Sequence, residues 1–223
     1  MEVYLLMDKT ILITRPNHDS TTNYLYYWSK PVIEVATKKG FKILDLQGKK
    51  ANRKTFESYL NTNKPSLIFL NGHGSEEKIA GYNNEILVDN LTVKTNLLEG
   101  KIMYSRSCRS AVALGKNVIV HGKAKAFIGY SRDFIFLIDN NYSTKPYLDP
   151  VAKPFMESSN LVATTLIKGH SVKEAHLRSK SEMKKALLKS LLSDATEAES
   201  RSAPYLLSNF SSQTIYGDES ATI

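Results

Sequence analysis

The chain has 223 residues, 42% of them apolar, with five histidines and a single cysteine. That length holds one large domain or two small ones, with enough apolar side chains to bury a core, and one thiol excludes an internal disulfide framework. No window comes near the roughly 18 uninterrupted apolar residues of a membrane span, and residues 1–8 have neither the basic start nor the apolar length of a signal peptide, so a reducing cytoplasm is the expected compartment.

The net charge of +8 sets 30 Lys and Arg against 22 Asp and Glu, and it is unevenly spread. Residues 168–189 hold Lys168, Lys173, Arg178, Lys180, Lys184, Lys185 and Lys189 against Glu174 and Glu182, a local excess of +5. A cationic helix of this kind faces nucleic acid, an acidic partner or water. No aromatic or glycine-rich nucleic-acid motif accompanies it, so a solvated face is expected and nucleic acid is not the expected partner.

In chain order, residues 10–14 are a short β-branched run broken by Pro16, which predicts a buried strand ending in a loop. Tyr24, Trp28, Val32 and Val35 recur at helical spacing; Pro31 kinks that helix or starts a second one, and Gly40 ends it. Residues 41–46 predict a second strand, 53–60 a short helix and 67–70 a third strand. The polar stretch 75–84, with Gly81 and Asn83-Asn84, predicts an excursion or small hairpin outside the sheet, and 85–88 one of its strands. A weak helix follows at 90–98, a fourth strand at 102–105, a helix over 110–121 closed by Gly122, and a fifth strand at 126–128. Beyond the loop 131–150 two helices are expected, the second over 172–192 with Val172, His176, Met183 and Leu187 on one side. Residues 213–216 predict a last strand, ended by Gly217-Asp218. No repeat, low-complexity tract or linker divides the chain, so 1–223 is expected to be one domain. Short apolar strands alternating with helices imply a mainly parallel sheet covered on both faces.

Two chemistry-bearing residues fall at consecutive strand ends: Gly72-His73-Gly74 follows the third strand and Cys108 the fourth. Neighbouring strands lie about 4.8 Å apart, and open α/β sheets hold ligands beyond the carboxyl ends of their strands. An imidazole and a thiol there make a nucleophile and its base. Taken singly, a lone cysteine is most often a small buried hydrophobe and a His-Gly pair an ordinary turn; together, in the order His then Cys, they favour function. With Ser110 capping the next helix, the Cys108 sulfur would lie off its positive end, which favours the thiolate. Glycines at 72 and 74 let a substrate backbone approach and let the Gly74 amide turn inward, to pair with the Cys108 amide as an oxyanion hole. Among the other histidines, His121 is carried about 18 Å away by the intervening helix, His170 and His176 fall in the basic C-terminal region, and His18, in the loop after the first strand, is the second choice of base. One Cys and no His-x-x-x-His or Cys-x-x-Cys spacing make no metal ligand set, and neither metal nor cofactor is expected.

Residues 67–75 around His73, 104–111 around Cys108, 122–130 and 215–218 together resemble the caspase-like clan of cysteine peptidases, in its CHAT, gingipain and separase-like branch. The resemblance runs from Ile11 to Asp218. It implies a three-layer α/β/α sandwich on a mainly parallel six-stranded sheet, strand order 2-1-3-4-5-6 with the last strand antiparallel, and a His73/Cys108 dyad without an obligatory third side chain. Ala111 departs from the Gly that CHAT and separase sequences often have, and Glu219 from the Pro that often follows Gly-Asp. In this clan the loops after strands one and five line the pocket for the residue before the scissile bond; here they carry Arg15, Asp19, Arg132, Asp133 and Asp139. Asp133 occupies the place of a separase acidic residue, so Asp19, Asp133 and Asp139 are the expected substrate-binding groups, for a basic residue. The expected protein is an intracellular cysteine endopeptidase acting on a protein substrate, and the resemblance adds an activating protein partner or processing. The alternative from a different class is a non-catalytic binding module of the same fold acting through its basic C-terminal helix. A flavodoxin-like nucleotide binder has a similar strand order, but no Gly-x-Gly-x-x-Gly or Walker-type run supports it.

Overall fold

The computed structural model describes residues 9–223; the expectation about residues 1–8 lies outside them. The strands are β1 (Thr10–Arg15), β2 (Lys42–Gln47), β3 (Leu67–Asn71), β4 (Ile79–Ala80), β5 (Ile86–Val88), β6 (Ile102–Arg106), β7 (Ala126–Tyr130) and β8 (Gln213–Gly217). Six of them form one sheet in the order β2-β1-β3-β6-β7-β8, and β4 and β5 make the expected hairpin outside it. All neighbours in the large sheet run parallel except β7 with β8. The chain therefore leaves β1 towards β2 on one side and returns as β3 on the other. That reversal opens a crevice at the carboxyl ends of β1 and β3.

The strands are apolar on both sides because helices cover both faces. Successive side chains point to opposite faces: Ile11, Ile13, Leu67, Phe69, Tyr104 and Ile128 share one core, and Leu12, Ile68, Leu70, Met103 and Phe127 the other. The first core is closed by α1 (Ser20–Trp28), α2 (Lys30–Lys38), α6 (Lys153–Ile167) and α7 (Val172–Ser190), the second by α3 (Arg53–Asn63), α4 (Asn90–Val93) and α5 (Leu114–Val120). Each fully buried large apolar side chain contributes about 1.5–3 kcal/mol. Phe56, buried on α3, and Leu12, buried on β1, meet in the second core; truncating either leaves a hole at the sheet.

Pro31 begins a second helix rather than kinking the first: it lies in the opening turn of α2, where its missing N–H costs nothing. The helix expected over 90–98 is a single turn, and the one expected over 110–121 starts only at Leu114. Gly122 has no left-handed conformation; Lys123 takes it, with φ of 52°. Three helices, not two, follow the long loop, because α8 (Glu197–Ser212) precedes β8. Along α7 the buried residues Val172, Ala175, Ser179 and Met183 recur at helical spacing, while His176 and Leu187 are only half-buried.

Candidate active site

Three strand ends are fastened to one another behind the crevice. Asn71, last in β3, receives Thr14 Oγ1 on its carbonyl at 3.0 Å, and its side-chain amide donates to the Thr14 carbonyl at 2.8 Å. Its Oδ1 accepts from Arg106 Nε, at the end of β6, at 2.9 Å. Asn71 also pairs with Arg106 in register, so His73 and Cys108 each stand two residues beyond the same paired position. The loops after β1, β3 and β6 thus leave a rigid edge side by side.

The loop after β3 is shaped by its glycines. Gly72 has φ of 150°, and a Cβ there would lie 2.1 Å from the Ala80 carbonyl oxygen; at Gly74 it would lie 2.7 Å from the Cys108 carbonyl oxygen and from Ser107 Cβ. The close approach that excludes a side chain is thus made by the chain's own hairpin and by the Cys108 loop. Among the described residues, neither the Gly74 nor the Cys108 amide donates to the main chain of another residue.

His73 meets a carboxylate. Its Nε2 lies 2.7 Å from Asp19 Oδ2, across 54 residues of sequence. Asp19 is the N-cap of α1: its Oδ1 accepts the Thr22 amide at 2.7 Å, and Thr22 Oγ1 accepts the Asp19 amide in return. Partial burial works against ionising Asp19, but the Thr22 and His73 hydrogen bonds outweigh it and hold the carboxyl below its usual value. An ionised carboxylate only accepts, so the hydrogen between the two lies on His73 Nε2. His18 stands beside this pair, its ring 6.1 Å from that of His73 and 5.4 Å from Tyr82. Its Nε2 lies 3.4 Å from Asp19 Oδ2, within ion-pair range but outside hydrogen-bond geometry, so both ring nitrogens are buried without a hydrogen-bond partner. Each such group costs about 1–3 kcal/mol.

Cys108 lies in a turn, not at a helix end. Arg109 is left-handed, with φ of 52°, its amide donates to the Arg132 carbonyl at 3.0 Å, and turns continue to Ala113. Ser110 does not cap the helix; its Oγ donates to the Ser107 carbonyl. The first amide of α5, at Leu114, is taken by the Glu76 carbonyl at 2.8 Å, which also ties the His73 loop to the Cys108 loop. The expected help from a helix dipole is therefore missing. Burial pushes the Cys108 thiol up, and although the neighbouring Phe134 main chain and Arg109 oppose this, Asp133 adds to the rise and the net shift is upward. At rest the sulfur is a protonated thiol, 3.9 Å from the Phe134 carbonyl oxygen.

The three acidic residues expected to hold substrate have separate positions. Asp19 is engaged by His73 and its own cap, Asp133 pairs with Arg109 Nε at 3.0 Å, and Asp139 caps a short turn through the Asn141 amide. The loop 131–134 borders the sulfur, so Asp133 is the acid next to Cys108. His121 ends α5, and His170 faces Glu174 at 3.3 Å. Four basic side chains of α7 are ion-paired, two within the helix and two to neighbouring segments: Lys173 meets Glu219, Arg178 meets Glu174, Lys185 meets Glu182 and Lys189 meets Glu199, while Lys180 lies over the Phe210 ring. Missing from the sequence reading are the Thr14-Asn71-Arg106 fastening and the carboxylate on His73. The only local signal was Asp19 followed three residues later by Thr22, a cap pattern that gives no hint of His73.

The sheet order, the antiparallel last strand and the two helical layers define a caspase-like α/β/α fold. Among solved structures it is similar to that of the Arg-specific cysteine proteinase gingipain R, with a TM-score of 0.62 at 13% identity over 97% of this chain and 47% of that one. It is also similar to the complex of the pro- and mature domains of RgpB from Porphyromonas gingivalis, with a TM-score of 0.60 at 14% identity over 97% of this chain and 48% of that one. The chain spans about half the length of these structures. No protein-family model matches the sequence, and no curated protein matches it significantly. Among the described residues, no helix is long and apolar enough to cross a membrane.

Proposed function

We propose that the chain is a cysteine endopeptidase in which Cys108 is the nucleophile, His73 the base and Asp19 the group that orients His73. The observation that carries this reading is the common origin of the two loops: His73 and Cys108 each follow the paired Asn71 and Arg106 by two residues, in a fold similar to that of a cysteine proteinase. Residues 1–223 are read as one peptidase domain.

The chemistry follows from the tautomer. Asp19 holds the hydrogen of His73 on Nε2, so Nδ1 takes the thiol proton as the sulfur attacks the peptide carbonyl. The Gly74 and Cys108 amides, without other main-chain acceptors, donate to the oxyanion. The proton on Nδ1 then passes to the leaving amine, a thioester remains on Cys108, and water activated by His73 releases the acid. Asp133, exposed and beside the sulfur, is the group for a basic residue before the scissile bond; such a residue would displace Arg109 from it. The proposed setting is the cytoplasm, with a protein substrate and an activating partner or processing step. The ion pairs along the basic helix lend no support to the non-catalytic binding alternative.

The test is a peptide library together with an arginine chloromethyl ketone. Expected are cleavage after Arg or Lys, an adduct on Cys108 detected by mass spectrometry, no cleavage by Cys108→Ala, and a loss of roughly 10²–10⁴-fold in His73→Ala. Equal cleavage by the native chain and Cys108→Ala would overturn the proposal.

A further inference from the structure

Beyond peptide cleavage, the crevice where β1 and β3 part brings three metal-binding side chains together. The ligand atoms of His18, Asp19 and His73 all lie within 4.8 Å of one another. His18 is the unusual member. Its side chain is only 9% exposed, both ring nitrogens lack a hydrogen-bond partner, and Nε2 stands 3.4 Å from Asp19 Oδ2. A largely buried imidazole whose ring nitrogens have no hydrogen-bond partner, with one of them 3.4 Å from a carboxylate oxygen, has a ligand atom to offer a cation.

We propose that His18, Asp19 and His73 form a site for a divalent metal of the zinc class, and that its occupancy switches off His73; the second half rests on the reading of His73 as the base. Zinc takes nitrogen and oxygen ligands at about 2.0–2.2 Å in a tetrahedron, which sets neighbouring ligand atoms about 3.4 Å apart. The His18 to Asp19 separation already meets that value. The His73 to Asp19 separation of 2.7 Å has to open by about 0.7 Å, and the His73 side chain, 40% exposed, has room to move. Two imidazoles and one carboxylate suit zinc, whereas calcium and magnesium prefer oxygen ligands. Sequence spacing hid this set, because two ligands are adjacent and the third is 54 residues away.

The consequence for His73 is a change of tautomer. It binds metal through Nε2, the atom on Asp19, so the ring hydrogen leaves Nε2 and a hydrogen resides on Nδ1. Nδ1 then has no lone pair to accept the Cys108 proton. No bond to sulfur is required, and no atom is gained or lost by the neutral ring.

The binding arm uses the full chain carrying Cys108→Ala, which removes the thiol as a ligand, titrated with zinc against a chromophoric chelator. One zinc per chain is expected, with affinity lowered at least about tenfold by His18→Leu and by Asp19→Asn. Melting curves identify any variant that fails to fold, and Asp19→Asn keeps the helix cap, so the two substitutions check each other. Cobalt in the native chain should give tetrahedral d–d bands without a sulfur charge-transfer band. Absence of zinc binding, or binding unchanged in folded His18→Leu and Asp19→Asn, overturns the site. In the activity arm, zinc should inhibit cleavage by the native chain, a chelator should restore it, and His18→Leu should need at least about tenfold more zinc. Zinc bound with this ligand dependence in a chain that cleaves no peptide would uphold the site and refute the peptidase reading, whereas cleavage indifferent to bound zinc would refute the switch.

Discussion

Cys108 and Asp19 each differ from what their sequence neighbourhoods imply. Ser110 suggests a helix end that would favour a thiolate, but the chain turns at Arg109 and the helix starts six residues after the sulfur. Burial then dominates and raises the thiol, so in the proposed mechanism proton transfer to His73 accompanies attack. The sign gives a direct prediction: a raised acid is mostly protonated below its shifted value, so the thiolate fraction keeps growing with pH. Alkylation of Cys108 by iodoacetamide should rise about tenfold per pH unit from 6 to 8 and not level off before the ordinary thiol range near 8.5. A plateau below pH 7, read by mass spectrometry, would indicate a resting thiolate–imidazolium pair instead. Asp19 was legible as an acid near the crevice but not as the partner of His73, since nothing local joins residues 54 apart.

At the scale of elements, the N-cap of α1 joins stability to the proposed chemistry through a single carboxylate, with Oδ1 on the Thr22 amide and Oδ2 on His73. Asp19→Ala removes both roles and should lower stability by about 0.5–2 kcal/mol along with activity. Asp19→Asn keeps an N-cap oxygen, so its denaturation midpoint should stay near native while kcat falls by tenfold or more through loss of the His73 tautomer. Equal kcat in native and Asp19→Asn chains would remove Asp19 from the mechanism. The lowered Asp19 carboxyl contributes stability above its unfolded value and loses it as pH falls through the folded one. Helix α8 escaped the sequence reading because Ser200, Ser202, Pro204, Ser208, Asn209, Ser211 and Ser212 favour turns over helix, although Thr196 and Glu199 form a capping box that was there to be read.

For the whole molecule, the decisive side chain is Arg106, which is fully buried and has no carboxylate among its hydrogen-bond partners. Its guanidinium is shared among Asn71 Oδ1, Ser159 Oγ, Asn160 Oδ1, the Leu25 carbonyl and Ser29 Oγ, and it lies over the Phe69 ring at 5.2 Å. Burial lowers it to about 10, still charged at neutral pH. One residue therefore fastens the end of β6 to β3, to the α1–α2 junction and to α6. Arg106→Met strands several buried polar groups and should cost about 3–5 kcal/mol. Arg106→Lys should not restore that loss, because an ammonium cannot span the fork of acceptors. Chemical denaturation checks both, and a native midpoint in either would contradict the role.

By itself the sequence determined the strands, their alternation with helices, and the two motifs at consecutive strand ends. These signals are local: short apolar runs, punctuating Gly and Pro, and a reactive residue just past each run. Only the tertiary structure decided which groups meet His73, where the helix after Cys108 begins, and that His18 and Asp19 stand together beside it. The groups around His73 are set by the reversal of strand order at β1, which brings the loop after β1 against the loop after β3, and the start of α5 is set by the turn at Arg109 and the Glu76 carbonyl from the loop after β3. Hydrogen bonds and coordination geometry act through space over a few ångströms, and spacing along the chain carries no record of that distance.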